Sequence, residues 1–376
     1  MAHQILPYLQ QHRADMLADL EALVRLESPS GEKPAVDVAA RYLAGLLTGS
    51  GGRVTVLPQA TRGNHLRAEW ESAGDGQTLV LGHLDTVFDR GELSRNPFRR
   101  EGDRLYGPGV SDMKGGLVCL LWALRALRAL GRHPRRPVLA LITSDEEVGS
   151  GTARPFIEAE ARRSSATLVV EPASADGSVK AWRKGWGQFT LTITGRPAHS
   201  GSDHAAGVSA IVEAAHQILR IQELHDPAQG VTLNVGTIHG GSRPNIVPEQ
   251  VTAEVEVRME TEADGVRVEQ ALRSLSPVLP GAHLHMTGGI DTPPLERRHS
   301  DPMLPAARIA YEELGLHLKV GGTGGVSDGN LAAAAGCPTL DGLGPIGAGA
   351  HTSHEYILAP SLWERAAILA RLLELV

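Results

Sequence analysis

The chain has 376 residues, of which 42% are hydrophobic and 21% charged, and its formal charge of −7 with no basic run argues against nucleic acid or an anionic membrane as main partner. That length exceeds the usual single-domain size, so one large domain with a smaller insert, or two domains, is expected. Cys119 and Cys337, the only cysteines, lie far apart and read as buried thiols; residues 1–16 carry His3, His12, Arg13 and Asp15 rather than an export core, and no run of about 18 apolar residues follows, so cytoplasmic residence is expected.

Leu9, Met16, Leu20 and Leu23 recur at helical spacing and predict one amphipathic helix over Ile5–Leu26, with a second over Ala35–Leu47. Arg53–Leu57 and Thr78–Leu81 read as strands, the second buried and ending at His83. Ser111 and Asp112 are expected to cap a long apolar helix that runs to Leu130 and stops at Gly131. Pro137–Thr143 and Ala166–Val170 read as buried strands that deliver Asp145-Glu146-Glu147 and Glu171. Strands alternating with helices indicate an α/β sheet whose carboxyl edge gathers a site.

The pattern changes near Val179. Gln188–Thr194 alternates like a half-exposed strand, and a helix over Ala206–Ile221, strands over Val231–Ile238 and Val251–Met259, a helix near Val266–Leu275 and a strand near His283–Thr287 follow it. This β-α-β-β-α-β order is that of a compact open-faced sandwich. After Pro293-Pro294 the α/β pattern resumes, so the small unit is inserted in the larger one.

Zinc and similar divalent ions prefer imidazole and carboxylate ligands, and a two-ion site needs one bridging carboxylate plus roughly two further ligands for each ion. His83, Asp112, Glu147, Glu171 and His351 all end strands or open loops, and they suffice. Carboxylates converging there without cations would repel one another and take up protons. Glu146, beside Glu147, can face substrate as a general base while its neighbour binds metal, and Asp85 can hold the tautomer of His83. By chemistry alone Ala198-His199-Ser200-Gly201 is commonly a turn, and His3, His12, His133, His204, His216, His225 and His239 read as surface or packing residues. Gly321-Gly322-Thr323-Gly324-Gly325 lacks the Lys-Ser/Thr of a phosphate loop; its amides could instead contact a substrate carboxylate.

Taken in order, Gly82-His83-Leu84-Asp85-Thr86-Val87, Gly109–Gly116, Asp145–Ser150 and Gly195–Gly201 resemble the co-catalytic zinc aminoacylase and carboxypeptidase family nearly end to end. Glu171-Pro172-Ala173-Ser174 and the small unit look most like its glutamate carboxypeptidase group. The resemblance implies a large zinc-peptidase α/β/α sandwich over residues 1–178 and 295–376, with an inserted ferredoxin-like α+β dimerisation domain over 179–294. It implies two Zn2+ per subunit, replaceable by Co2+ or Mn2+, with Asp112 bridging, His83 and Glu171 on one ion and Glu147 and His351 on the other. Glu146 would be the general base and Asp85 would orient His83. His351 is preferred to His354 because it stands four residues before Glu355, as in the family's closing His-x-x-x-Glu pattern.

The same resemblance implies a homodimer in which a histidine matching His199 reaches the partner subunit's site to stabilise the oxyanion. Asn245 and Arg258 match positions associated with the substrate's carboxylate end, where a guanidinium can donate two parallel hydrogen bonds. One departure concerns Thr292, which stands where an arginine often precedes the proline pair of glutamate carboxypeptidases. The expected activity is release of a C-terminal amino acid, glutamate foremost, from a small peptide or N-acyl conjugate. An N-acyl-amino-acid deacylase such as acetylornithine deacetylase is the alternative within the family. A noncatalytic metal-stabilised binding protein is the alternative outside it, and its signature would be a lost base or ligand.

Overall fold

In the computed structural model residues 4–376 are described; His3 lies outside them. The chain forms two compact units, one built from residues up to 182 with 297–322 and 327–376, the other from 183–296 with 323–326.

The large unit is organised by a six-stranded sheet in the order Arg53–Leu57, His65–Trp70, Val138–Thr143, Thr78–His83, Ala166–Val169, Thr339–Leu340. The last four strands run parallel, so Thr78–His83, Val138–Thr143 and Ala166–Val169 end on the same edge, while the first two join antiparallel. Side chains alternate across a strand, and here both faces are apolar. Val80, Ala140, Ile142 and Leu168 join one core with the helices Gly115–Ala129 and Ala359–Leu375. Leu79, Leu81, Leu139, Leu141 and Val169 join another with Ile157 and Leu331, from the helices Arg154–Arg163 and Asp328–Ala334. The large unit is therefore an α/β/α sandwich.

Two sequence expectations change. The first helix breaks at His12 into Ile5–Gln11 and Arg13–Val24, because His12 leaves helical geometry at φ −96° and ψ 15°. Ser111 and Asp112 do not cap the long helix, which starts at Gly115; Asp112 and Met113 have extended or irregular backbone, and the peptide between them is cis. Glycine at position 116 has a packing reason: a Cβ there would lie 1.8 Å from the carbonyl oxygen of Val170, at the end of the strand that leads to Glu171. A Cβ on Gly344 would crowd the same oxygen, at 2.5 Å.

In the small unit four antiparallel strands run in the order Thr232–Gly240, Gln250–Met259, Gly185–Thr194, His283–Thr292. With the helices Ala210–Gln222 and Glu262–Arg273 this is the ferredoxin-like β-α-β-β-α-β arrangement. Phe189, Leu191, Ile193, Val255 and Val257 fill its core from the central strands, and Ala214, Ile221 and Val268 close it from the helices.

Candidate metal centre

His83 is the last residue of its strand and lies in register with Thr143, the last residue of the neighbouring one. Its Nε2 is 3.0 Å from Asp112 Oδ1 and 3.3 Å from Glu171 Oε1. The other oxygen of Asp112 is 3.2 Å from Nε2 of His351, and that nitrogen is also 3.2 Å from Glu147 Oε2. One carboxylate thus faces two imidazoles through separate oxygens, and each imidazole has a further carboxylate beside it. All five predicted metal ligands are brought together. Glu146 joins them, with Oε2 3.9 Å from His83 Nε2.

The supports are specific. His83 Nδ1 lies 3.0 Å from the backbone carbonyl of Asp85, nearer than the Asp85 carboxylate at 3.6 Å. That carboxylate is instead occupied by the Ser30 hydroxyl and by the amide N–H groups of Glu146 and Glu147, donating at 3.2 and 3.3 Å. Glu146 and Glu147 therefore sit on a 3-10 turn, Glu146–Val148, rather than on an extended strand end. The Asp112 loop is held by Glu355, whose buried carboxylate accepts from the amides of Gly109, Ser111 and Asp112 at 3.0, 2.7 and 2.9 Å. Among the described residues only Ser150 and His351 are non-glycines with positive φ, at 54° and 65°. Both flank this site, where strained backbone is commonly retained.

Protonation follows the crowding. Burial pushes the Glu146 carboxyl well above the usual range, and Glu171, Asp328 and Glu147 add to it while His83 opposes. Burial also raises Glu147. Burial alone would raise Asp112 too, yet His351 and His83 hold it below the carboxylate range. His351, half exposed, is pushed up to about 10 by Asp112 and then Glu147. Burial would depress His83, but Asp112, Asp85 and Glu171 more than offset that. Without cations the cluster thus holds protons where charge must be balanced.

The donor set suits divalent metal. His83, Asp112 and Glu147 each offer a ligand atom, all within 4.8 Å of one another. Glu147 Oε1 is buried with no hydrogen-bond partner, a costly state that a cation would relieve.

The other predicted residues lie in the small unit. His199 is exposed, and its Nδ1 accepts from the amides of Gly201 and Ser202, both at 3.1 Å, which leaves Nε2 as the ring nitrogen that can donate. The turn read from Ala198–Gly201 is present, and it orients the ring. The backbone carbonyl of Asn245 accepts from Ser200 at 3.0 Å, and its side chain is exposed. Arg258 is paired with Glu256 at 2.6 Å. Three residues that hold the site carried weak sequence signals: Ser30, Asp328 and, beyond its place in the closing pattern, Glu355. Asp328 follows a Gly-rich run and reads locally as the first residue of a helix.

The family description "Peptidase family M20/M25/M40" matches residues 79–375. Carboxypeptidase G2 of Pseudomonas sp. (strain RS-16) is 31% identical over 366 residues, covering 95% of this chain and 88% of that protein. An acetylornithine deacetylase of Edwardsiella ictaluri (strain 93-146) is 34% identical over 249 residues, 61% of this chain and 63% of that one. Among solved structures, the aminopeptidase PepT of Bacillus cereus ATCC 10987 shares the fold with a TM-score of 0.79 at 21% identity, covering 96% of this chain and 98% of its own. No helix among the described residues is long and apolar enough to cross a membrane. The chain belongs to peptidase family M20/M25/M40 and is a metal-dependent hydrolase of peptide or amide bonds.

Proposed function

We propose that this hydrolase is a di-zinc carboxypeptidase-type enzyme that releases a C-terminal amino acid, with glutamate the first candidate, from small peptides or N-acyl conjugates. The observation that carries the reading is Asp112, whose two oxygens face His83 and His351 separately. Asp112 with His83 and Glu171 would hold one ion, and Asp112 with Glu147 and His351 the other. When bound, such ions polarise a scissile carbonyl and acidify a water near neutral pH.

The chain's own residues supply the rest. Glu146, whose Oε2 stands 3.9 Å from His83 Nε2 beside the metal cluster, accepts the proton of the attacking water and returns it to the departing nitrogen. Asp85 fixes where Glu146 and Glu147 stand by accepting their amides. His199 acts as an oxyanion donor in the partner subunit of a homodimer, and the two amides that Nδ1 accepts leave Nε2 as the ring nitrogen that can donate. Arg258 and Asn245 receive the substrate's carboxylate end; for Arg258 the substrate replaces Glu256 as the partner. Cytoplasmic residence belongs to the same reading.

Deacylation of an N-acyl amino acid is the second reading, favoured by the likeness to acetylornithine deacetylase and by Thr292 in place of an arginine. One experiment addresses both: a panel of dipeptides, folate-like glutamates and N-acyl amino acids, offered to zinc-reconstituted protein and to Glu146→Gln. A working general base contributes about 10²–10⁴-fold, so the variant should lose that factor with its two ions retained. Equal turnover by the variant would sink the mechanism, and a preference for acyl amino acids would choose the second reading.

A further inference from the structure

Asp328 performs no step of the reaction proposed above, yet it is a carboxylate only 4% exposed, inside the large unit. Its Oδ2 accepts the hydroxyl of Thr143 at 2.8 Å, and its Oδ1 accepts the hydroxyl of Ser150. Thr143 is the last residue of its strand, opposite His83, and its carbonyl accepts the amide of Leu84 at 2.9 Å. Ser150 closes the turn at left-handed φ 54°. The two hydroxyls therefore bracket the segment that carries Glu146 and Glu147, and both are fastened to one side chain.

That side chain is itself fixed. Asp328 is the first residue of its helix, behind a reciprocal cap between Ser327 and Asn330, and the Ser327 hydroxyl donates to buried Asp341 at 2.6 Å. A turn anchored at one end could pivot about the other. Anchored at both, it cannot.

We propose that Asp328 is a positioning residue for the hydrolytic reaction: it clamps both ends of the 143–150 segment and so fixes the direction of Glu146 and Glu147. This rests on the role given to those two residues above. Misplacing a reacting group by about 1 Å can cost on the order of 10²-fold in rate, so the clamp should be visible in kcat.

The test uses full-length zinc-loaded protein and three variants: Asp328→Ala, Asp328→Asn, and the double variant Thr143→Val with Ser150→Ala. An asparagine in the same place accepts from one hydroxyl and donates to the other, so it preserves the fastening without the charge. Backbone hydrogen exchange at Glu146 and Glu147 should quicken at least about tenfold in the alanine and double variants, and kcat should fall by about 30- to 100-fold with KM within about threefold. Asp328→Asn should stay within about threefold of the wild type in exchange and about fivefold in kcat. Should Asp328→Ala not fold, the double variant carries the comparison alone. Unchanged exchange in the double variant overturns the clamp, and so does an equal loss of kcat in Asp328→Asn and Asp328→Ala. A wild type that hydrolyses nothing in the panel would refute the proposed function, and the exchange rates would still decide the clamp.

Discussion

Replacing Gly116 by alanine sets two effects of opposite sign against each other. Alanine is the better helix former by up to about 1 kcal/mol, so sequence alone favours Gly116→Ala. The new methyl, however, would stand 1.8 Å from the Val170 carbonyl oxygen, where ordinary contact begins near 3.4 Å, so two backbones must part by about 1.6 Å. Neither is a flexible side chain. Overpacking of this kind costs about 1–3 kcal/mol or more, which leaves a net loss of roughly 2 kcal/mol and lowers the melting temperature by about 4–8 °C. The displaced strand leads to Glu171, so kcat should fall further than stability does, by on the order of tenfold to a hundredfold. Gly45→Ala is the control: that exposed helical glycine has nothing within 4 Å of its Cβ, and the exchange should be neutral or stabilising. Calorimetry and turnover of the two variants side by side check this. Wild-type melting and turnover for Gly116→Ala would refute the packing argument.

Three further outcomes follow from the same geometry. Glu355→Gln turns an amide N–H toward one of three backbone N–H donors and loosens the Asp112 loop; we expect metal affinity to drop about 10–100-fold in a chelator competition, and unchanged affinity would remove Glu355 from the site's support. Lys114, fully buried and donating to the Leu26 carbonyl at 2.8 Å, is pushed down to about 8 by burial. The folded state therefore releases this proton at lower pH than the unfolded state does, the unfolded chain binds more protons between about 8 and 10.5, and stability should rise with pH across that window. Lys114→Met should flatten that rise in urea titrations, and an identical slope in the variant would contradict the assignment. Asp112 and Glu147 push His351 up to about 10, so under the proposed function zinc would expel its proton at pH 8, and calorimetry in buffers of different ionisation enthalpy should register at least one proton released; none released would contradict it.

The convergence of His83, Asp112, Glu147, Glu171 and His351 was legible in the sequence because each imidazole or carboxylate follows an apolar run or opens a loop, and the structure brings the five side chains together. The strand Thr78–His83 was equally plain, since it is buried on both faces and reads as a continuous apolar run. The strand His65–Trp70 was not: its polar and apolar residues alternate as in a half-exposed strand, yet His65 is buried and Arg67 and Glu69 are only partly exposed. Arg67 and Glu69 pair with each other at 2.5 Å, and His65 is buried against Ser144 and Thr152. Partners across long sequence gaps escaped as well: Asp328 is joined to Thr143, and Glu355 to Gly109, by contacts that no local pattern encodes. The misread start of the helix at Gly115 has the same origin, for Ser111 and Asp112 look like caps until Glu355 draws their amides away.

The order of the segments has a consequence for how the enzyme comes into being on the ribosome. The four-stranded sheet of the small unit lies between residues 185 and 292, whereas the large unit's six-stranded sheet waits for Thr339–Leu340 and its cluster of imidazoles and carboxylates for His351. Chains emerge amino end first, at about 5–20 residues per second, and domains fold as units. The ferredoxin-like insert can thus fold while its host is still incomplete. The cluster of His83, Asp112, Glu147, Glu171 and His351 is completed last, after nearly all of the polypeptide has been made, so a nascent chain stalled before His351 lacks one of its two imidazoles.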